Sequence, residues 1–154
     1  MPALEPLSGE EECLWRSLQR VLVALPRMLD EDLLRRTGLS LTEYTVLMHL
    51  SEAPDHQLRM TDLAAATALS ASRITRVVTV LQSRDLVDKR RHCTDARGSV
   101  AVITEAGRQR LRDAYPAHLA GARRHVMDRF DPATVGRIAS QLQSVADRLH
   151  PTSN

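Results

Sequence analysis

The 154-residue sequence predicts a mainly α-helical chain carrying one small β-hairpin. Three observations predict it. Apolar residues recur at helical spacing over most of the length. The period shortens only between Leu86 and Ile103, where Val and Ile gather on either side of a turn. Side chains suited to helix caps stand at the expected starts, at Ser40, Ser70, Thr104 and Asp131.

The elements follow in order. Residues 1–9 hold two Pro and one Gly without periodicity and read as a loose arm. From Glu10 to Arg36 the stripe Leu14, Leu18, Val21, Leu22, Leu25, Leu29, Leu33 predicts a long amphipathic helix. Pro26 lies inside it, so either a kink or two helices in series is expected there. Thr37-Gly38 closes the element. Ser40-Leu41-Thr42-Glu43 is a capping box for a helix that turns Tyr44, Val46, Leu47 and Leu50 inward. Ala53 to Gln57, with Pro54 and Asp55, is expected to be loop. A short helix opens at Thr61 or Asp62, a turn follows at Leu69-Ser70, and a second helix runs from about Ala71 to Arg84 on the stripe Ile74, Val77, Val78, Leu81. Leu86–Arg91 and Ser99–Ile103 are the strands, with Asp95–Gly98 as the hairpin tip. Thr104 caps a helix expected to break near Pro116 and to resume through Leu119, Val126 and Met127. Asp131-Pro132 restarts a last helix with Val135, Ile138, Leu142, Val145 and Leu149 near a heptad seam.

Composition narrows the function classes. Apolar residues at 43% and charged residues at 26% are globular values and exclude a disordered scaffold. The longest unbroken apolar run, Val21–Leu25, is far short of the roughly 20 residues of a membrane span. The acidic start (Glu5, Glu10, Glu11, Glu12) is unlike a secretory leader, and Cys13 and Cys93 are too few for a disulfide framework, so a reducing cytoplasm is expected. Trp15, Tyr44, Tyr115 and Phe130 are the only aromatics, which disfavours a base-stacking single-strand binder. Charge is unevenly spread. Residues 1–58 carry a net −5, residues 59–97 a net +4 and residues 98–154 a net +3. A basic middle segment is either a phosphate-facing surface or a solvated charged face.

The local order decides between these. Helix, tight turn, helix and basic hairpin across residues 61–103 form a winged helix-turn-helix, in which a helix fills the major groove of duplex DNA and the hairpin lies along the neighbouring groove. Opposite the apolar stripe stand Ser72, Arg73, Thr75, Arg76 and Thr79. Arg73 and Arg76, three apart, share a face, and an arginine fork matches the O6 and N7 edge of guanine. Ser70, Ser72 and Thr79 are candidate donors to phosphate, which sets register without reading sequence.

Residues 58–111 resemble the core of the multiple antibiotic resistance regulator (MarR) family. The likeness is carried by Asp62-Leu63-Ala64, Ser70–Leu81, the run RDLVDKRR (residues 84–91), Asp95-Ala96-Arg97 and Ile103–Gly107. The capped helix at Ser40 and the flanking long helices agree in order and length. The resemblance implies a homodimeric regulator of transcription, most often a repressor, whose N- and C-terminal helices interlock. It divides the chain into a dimerisation helix with its arm (residues 1–36), a DNA-binding domain (37–104) and C-terminal dimerisation helices (105–154). It implies that Arg97 in the wing enters the minor groove with Asp95 holding an arginine fork, and that Lys89, Arg90 and Arg91 lie near the DNA backbone. A narrow minor groove independently favours an inserted guanidinium, and a bare Asp95 near phosphates would be repelled unless paired. Two departures stand out. Asp85 replaces the family's usual Gly in a slot that often needs a left-handed conformation, and Arg59 stands where a Ser or Thr cap is usual.

The outer helices also argue for a dimer. A winged motif cannot cover both apolar stripes, whereas a two-fold partner covers them and sets two reading helices about one DNA turn apart. A helical lobe within a monomer is the alternative. The family resemblance further implies a small aromatic or phenolic effector between the helical and DNA-binding lobes. Trp15, Tyr44, Met48 and His49 are its candidate lining, with ordinary core packing as the other reading of each. Cys13 raises a redox-responsive alternative, because one branch of the family senses hydroperoxide through a Cys early in its first helix. Ser17 and Arg27 stand about where that branch has its poising tyrosines. Cys93, beside His92, is an oxidation target only through exposure. His118 and His125 are seven apart, but no Cys-x-x-Cys or close His pair suggests a metal. Phosphate-binding, nucleophile-elbow and zinc-protease motifs are missing, so neither an enzyme nor a cofactor is expected. A winged helix used only for protein contacts is the remaining rival.

Overall fold

The computed structural model describes residues 5–91 and 98–149. It contains six α-helices among these residues: α1 (Gly9–Thr37), α2 (Leu41–Glu52), α3 (Met60–Thr67), α4 (Ala71–Ser83), α5 (Glu105–His125) and α6 (Pro132–Leu149). Three short strands complete it: β1 (Gln57–Arg59), β2 (Val87–Arg91) and β3 (Ser99–Ile103). The chain divides into two compact units, one ending at Gly121 and one beginning at Ala122.

In the first unit, α1 opens with a capping box not recognised in the sequence. Ser8 Oγ accepts the Glu11 amide, and the Glu11 carboxylate accepts the Ser8 amide. Those bonds hold the Glu11 carboxyl below its ordinary pKa. Of the two expectations at Pro26, two helices in series is corrected: 29 residues form one helix that runs through the proline. Proline deprives only the carbonyl four residues back of its donor. That residue is the exposed Leu22, on a side of the helix where water can supply the missing donor. The same reason corrects the expected interruption at Pro116. α5 runs through it, with exposed Arg112 one turn earlier. Helix does not resume through Val126 and Met127, because α5 ends at His125 and a 3-10 turn occupies Met127–Arg129.

Ser40 caps α2 as expected, with Glu43 completing its box. The loop expected at Ala53–Gln57 is a 3-10 turn at Pro54–His56 leading directly into β1. β1 is too short to show a period, and it makes the expected two-stranded wing a three-stranded antiparallel sheet of order β1-β3-β2. Leu58 pairs with Ala101, and Lys89 pairs with Ala101 from the other side. The short helix starts at Met60, one residue before the expected Thr61, with Arg59 in the cap position and no side-chain bond there.

The core gathers Leu33, Leu39, Tyr44, Val46, Leu47, Leu50, Leu63, Ile74, Val78, Leu81, Val87, Ile103 and Ala114. It therefore lies under the helix-turn-helix and sheet, and takes only the end of α1. Gly107 sits where the first turn of α5 crosses the turn after α4. A Cβ there would stand 2.1 Å from the Leu86 carbonyl oxygen and 2.7 Å from Ile103 Cγ1. Thr104 secures the same crossing, accepting the Gly107 amide at 3.0 Å and donating its hydroxyl to the Asp85 carbonyl at 2.7 Å.

The second unit holds the last residues of α5, the 3-10 turn and α6. Asp131 Oδ1 accepts the Ala133 amide at 2.9 Å, the expected cap with Pro132 at the first helical position. Leu142, Val145 and Leu149 are exposed.

Candidate nucleic-acid interface

α3 and α4 are joined by three residues, Ala68, Leu69 and Ser70. Ala68 takes the left-handed conformation (φ 53°), and the Leu69 amide returns to the Ala64 carbonyl at 3.0 Å. A tight turn of this kind usually employs Gly, since a Cβ here costs roughly 1–2 kcal/mol. Ser70 then caps α4, its hydroxyl accepting the Arg73 amide at 3.3 Å. The far end closes with Asp85, also left-handed (φ 56°), and the Leu86 amide bonds the Leu81 carbonyl at 3.0 Å. The substitution of Asp for the usual Gly thus occupies the expected conformation.

Burial sorts the faces of α4. Ile74, Val78 and Leu81 are buried and Val77 partly so, while Ser72, Arg73, Thr75, Arg76 and Thr79 are exposed. Ser70, Lys89, Arg90 and Arg91 are exposed as well. Several cations of the flanking helices are engaged, Arg16 with Glu12, Arg27 with Glu31, Arg35 with Asp32, and Arg108 and Arg112 with Glu105, while Arg20, Arg36, Arg137 and Arg148 have no carboxylate partner among the described residues. The bonds from Arg108 and Arg112 hold the Glu105 carboxyl below its ordinary pKa. Among the described residues Arg73, Arg76, Lys89 and Arg91 have no carboxylate partner, and only Arg90 pairs, with Asp88 at 3.3 Å. Guanidiniums left unpaired on one face are available to external anions.

The hydroxyls are placed with less freedom. Thr75 and Thr79 donate to the carbonyls of Ala71 and Thr75, both at 2.8 Å. Donation from Thr79 to a phosphate would require its hydroxyl to leave the Thr75 carbonyl. Ser70 Oγ and Ser72 Oγ lie 3.2 Å apart, so one proton of that pair remains for an outside acceptor. Asp95 and Arg97, like His92 and Cys93, lie outside the described residues.

Arg73 has a second neighbourhood. With Val77 it lines an open cleft of about 480 Å³ whose other walls are Pro26, Arg27 and Asp30 of α1 and Ser40, Leu41 and Thr42 at the start of α2. Arg73 and Arg76 therefore do not present identical surroundings, although both are exposed. None of Trp15, Tyr44, Met48 and His49 lines this cleft. Tyr44 is buried in the core and stacks on His118, Met48 packs against that core, and His49 is half-buried. Trp15, 51% exposed on α1, stands apart from that cluster. Cys13 is exposed near the start of α1, and Ser17 and Arg27 are exposed too. Sequence reasoning did not find Arg27 and Thr42 as cleft residues, because nothing in α1 or α2 alone signals that α4 passes beside them.

The MarR family model matches residues 37–98. Among solved structures, a MarR family transcriptional regulator from Streptomyces coelicolor in complex with DNA superposes with a TM-score of 0.87 at 31% identity, covering 99% of this chain and 95% of that one. AbsC, a MarR family regulator of the same organism, gives 0.84 at 34% identity over 97% of this chain and all of its own. The transcriptional repressor YetL of Bacillus subtilis is 29% identical over 112 residues, and the match spans 73% of this chain and 66% of YetL. Sheet order, the capped helix α4 and these likenesses agree: the chain belongs to the MarR family of transcriptional regulators.

Proposed function

We propose that two copies of this chain bind one pseudo-palindromic duplex and repress transcription from it. The observation that carries the reading is the exposed cationic face of α4, where Arg73 and Arg76, opposite the buried stripe Ile74, Val78, Leu81, have no carboxylate partner among the described residues. In this reading α4 enters the major groove, Arg76 and Arg73 take guanine edges, and Ser70 and Ser72 bond phosphate. Lys89, Arg90 and Arg91 follow the backbone, and Arg97 with Asp95 addresses the minor groove. The relative solved on DNA and the named repressor support this.

Residues 37–104 act as the DNA-binding domain, with the flanking helices as dimerisation elements. Support comes from apolar side chains left bare there: Leu14, Trp15, Val21 and Leu22 on α1, and Leu142, Val145 and Leu149 on α6. A partner covering them removes that surface from water. The cleft beside Arg73 supports release by a small molecule only in that a molecule seated there would contact a guanidinium of the proposed reading face.

The experiment is a binding selection from random duplexes at stated salt, followed by the Arg73→Ala, Arg76→Ala, Arg97→Ala triple variant. Wild type is expected to enrich half-sites about 10 bp apart. A triple variant that binds the enriched duplex as tightly as wild type defeats DNA reading and favours a protein-contact module.

A further inference from the structure

The corner between α1 and α2 is built from polar groups of four helices. Gly38 ends α1 in the left-handed conformation (φ 70°), leaving the last carbonyls of α1 without helical partners. Two arginines from elsewhere cap them. Arg110 of α5 donates to the Thr37 carbonyl, and Arg84, the residue that ends α4, donates to the Gly38 carbonyl at 3.3 Å. Cations suit this end of a helix, where the backbone dipole is negative.

Arg84 also reaches the start of α2. It donates to both carboxylate oxygens of Glu43, at 3.3 and 3.4 Å. One of those oxygens accepts the Ser40 amide at 2.8 Å in the same geometry. The Glu43 side chain is only 13% exposed and that of Arg84 34%, so the pair is better shielded than the other ion pairs of α1 and α5.

The location of this tie gives it meaning. Along the first half of α4, Arg73 and Val77 border an open cleft instead of packing on α1. Among the described residues, Arg84 is the only side chain of α4 or its cap that hydrogen-bonds the α1–α2 corner. The tilt of α4 against α1 is therefore fixed by its buried stripe on one side and by Arg84 at its end.

We infer that Arg84, through Glu43 and the Gly38 carbonyl, is a positioning residue that sets the angle of the reading helix against α1 and so the half-site spacing the protein accepts. The inference rests on the reading that two copies of α4 address one duplex. Arg84 need not touch DNA for this. A small rotation about the corner displaces the far end of α4, and two-fold symmetry doubles the error in separation.

The test uses duplexes with two fixed half-sites and a spacer varied by single base pairs, applied to full-length wild type, Arg84→Gln and Glu43→Gln. Gln at position 43 retains the capping box while removing the charge, so α2 keeps its start. Both variants are expected to lower the preference for the best spacing over its neighbours about threefold, with base preference inside each half-site unchanged. The double variant should lose no more than either single one, and Arg84→Lys should restore part of the preference. Variants that melt as wild type yet keep its full spacing preference overturn the inference. So does an equal loss of affinity at every spacing. Arg76→Ala, run in parallel, separates the two readings: if it binds every duplex as wild type does, the DNA-reading assignment fails whatever Arg84 does.

Discussion

Tyr44 and His118 lie face to face, ring centroids 4.4 Å apart and planes inclined by 22°. The stack joins α2 to α5 beside the helix-turn-helix core. Burial pushes the His118 pKa below the ordinary imidazole range, and burial pushes Tyr44 upward, reinforced by the nearby Tyr115 and Glu52. His118 is thus neutral in the fold at neutral pH. The unfolded chain takes up the proton more readily, so the stability His118 contributes is present above about pH 6.5 and is lost as pH falls through its lowered folded value. The melting temperature should fall on acidification from about pH 7.5 to 5, and less steeply in His118→Phe, which keeps a ring in the stack. Parallel profiles for the two proteins would assign the acid sensitivity to other groups.

Gly107 sets a direct contest between helix propensity and sterics. Alanine in a helix interior gains about 0.5–1 kcal/mol over glycine. Here its Cβ would lie 2.1 Å from a backbone oxygen, which cannot swing aside as a side-chain tip would. Overpacking of this kind costs about 1–3 kcal/mol, so Gly107→Ala should destabilise despite the better propensity. Urea denaturation is the measurement, and a midpoint at or above wild type would contradict the packing described.

Ala68 makes the opposite case. Its left-handed backbone costs about 1–2 kcal/mol, of which the greater chain entropy of glycine offsets 0.5–1. Ala68→Gly should therefore stabilise the fold by about 0.5–1 kcal/mol, read as a higher melting temperature. DNA affinity should be unchanged, since the side chain belongs to the turn and not to the exposed face of α4.

Arg76 and Lys89 should separate by the kind of loss they produce. Arg76→Ala is expected to cost about 1–3 kcal/mol and to relax preference at one base position. Lys89→Gln should weaken all duplexes alike and reduce the slope of log affinity against log salt by about one. Titrations at three salt concentrations on matched and mismatched duplexes distinguish them, and identical behaviour of the two variants would refute the division between base and backbone contacts.

Val145→Asp tests the pairing of copies. A carboxylate placed in the exposed stripe of α6 should shift sedimentation toward a single chain and lower operator affinity, while the circular dichroism of the DNA-binding domain persists. An unchanged sedimentation coefficient would place the pairing surface elsewhere.

What could be read in advance followed from local rules. Ser40, Ser70, Thr104 and Asp131 each announce a helix start because a cap acts within three residues. The stripe Ile74, Val78, Leu81 separates the faces of α4 because helical period alone fixes them. The errors came where local rules compete with context. Two helices in series at Pro26 and a break near Pro116 were expected, but both helices run on, and the residues four back, Leu22 and Arg112, are exposed, where water can supply the lost donor. β1 escaped notice because three residues hold no periodicity, and its evidence is a partner strand far along the chain, Gln57 pairing with Val102 and Arg59 with Val100. Glu43 was legible as part of a capping box, but its bond to Arg84, 41 positions on, was not. The cleft beside Arg73 was hidden for the same reason, since its walls come from three helices.

The central place of β3 has a mechanical consequence. It is laced to β1, which runs without a linker into α3, and to β2, which leaves α4 through Asp85. The start of α3 and the end of α4 are thus both tied to the one strand β3. If the proposed DNA reading holds, a duplex that displaces β2 and β3 must also strain α3 and α4, so sequence changes beneath the hairpin and beneath α4 are expected not to add independently.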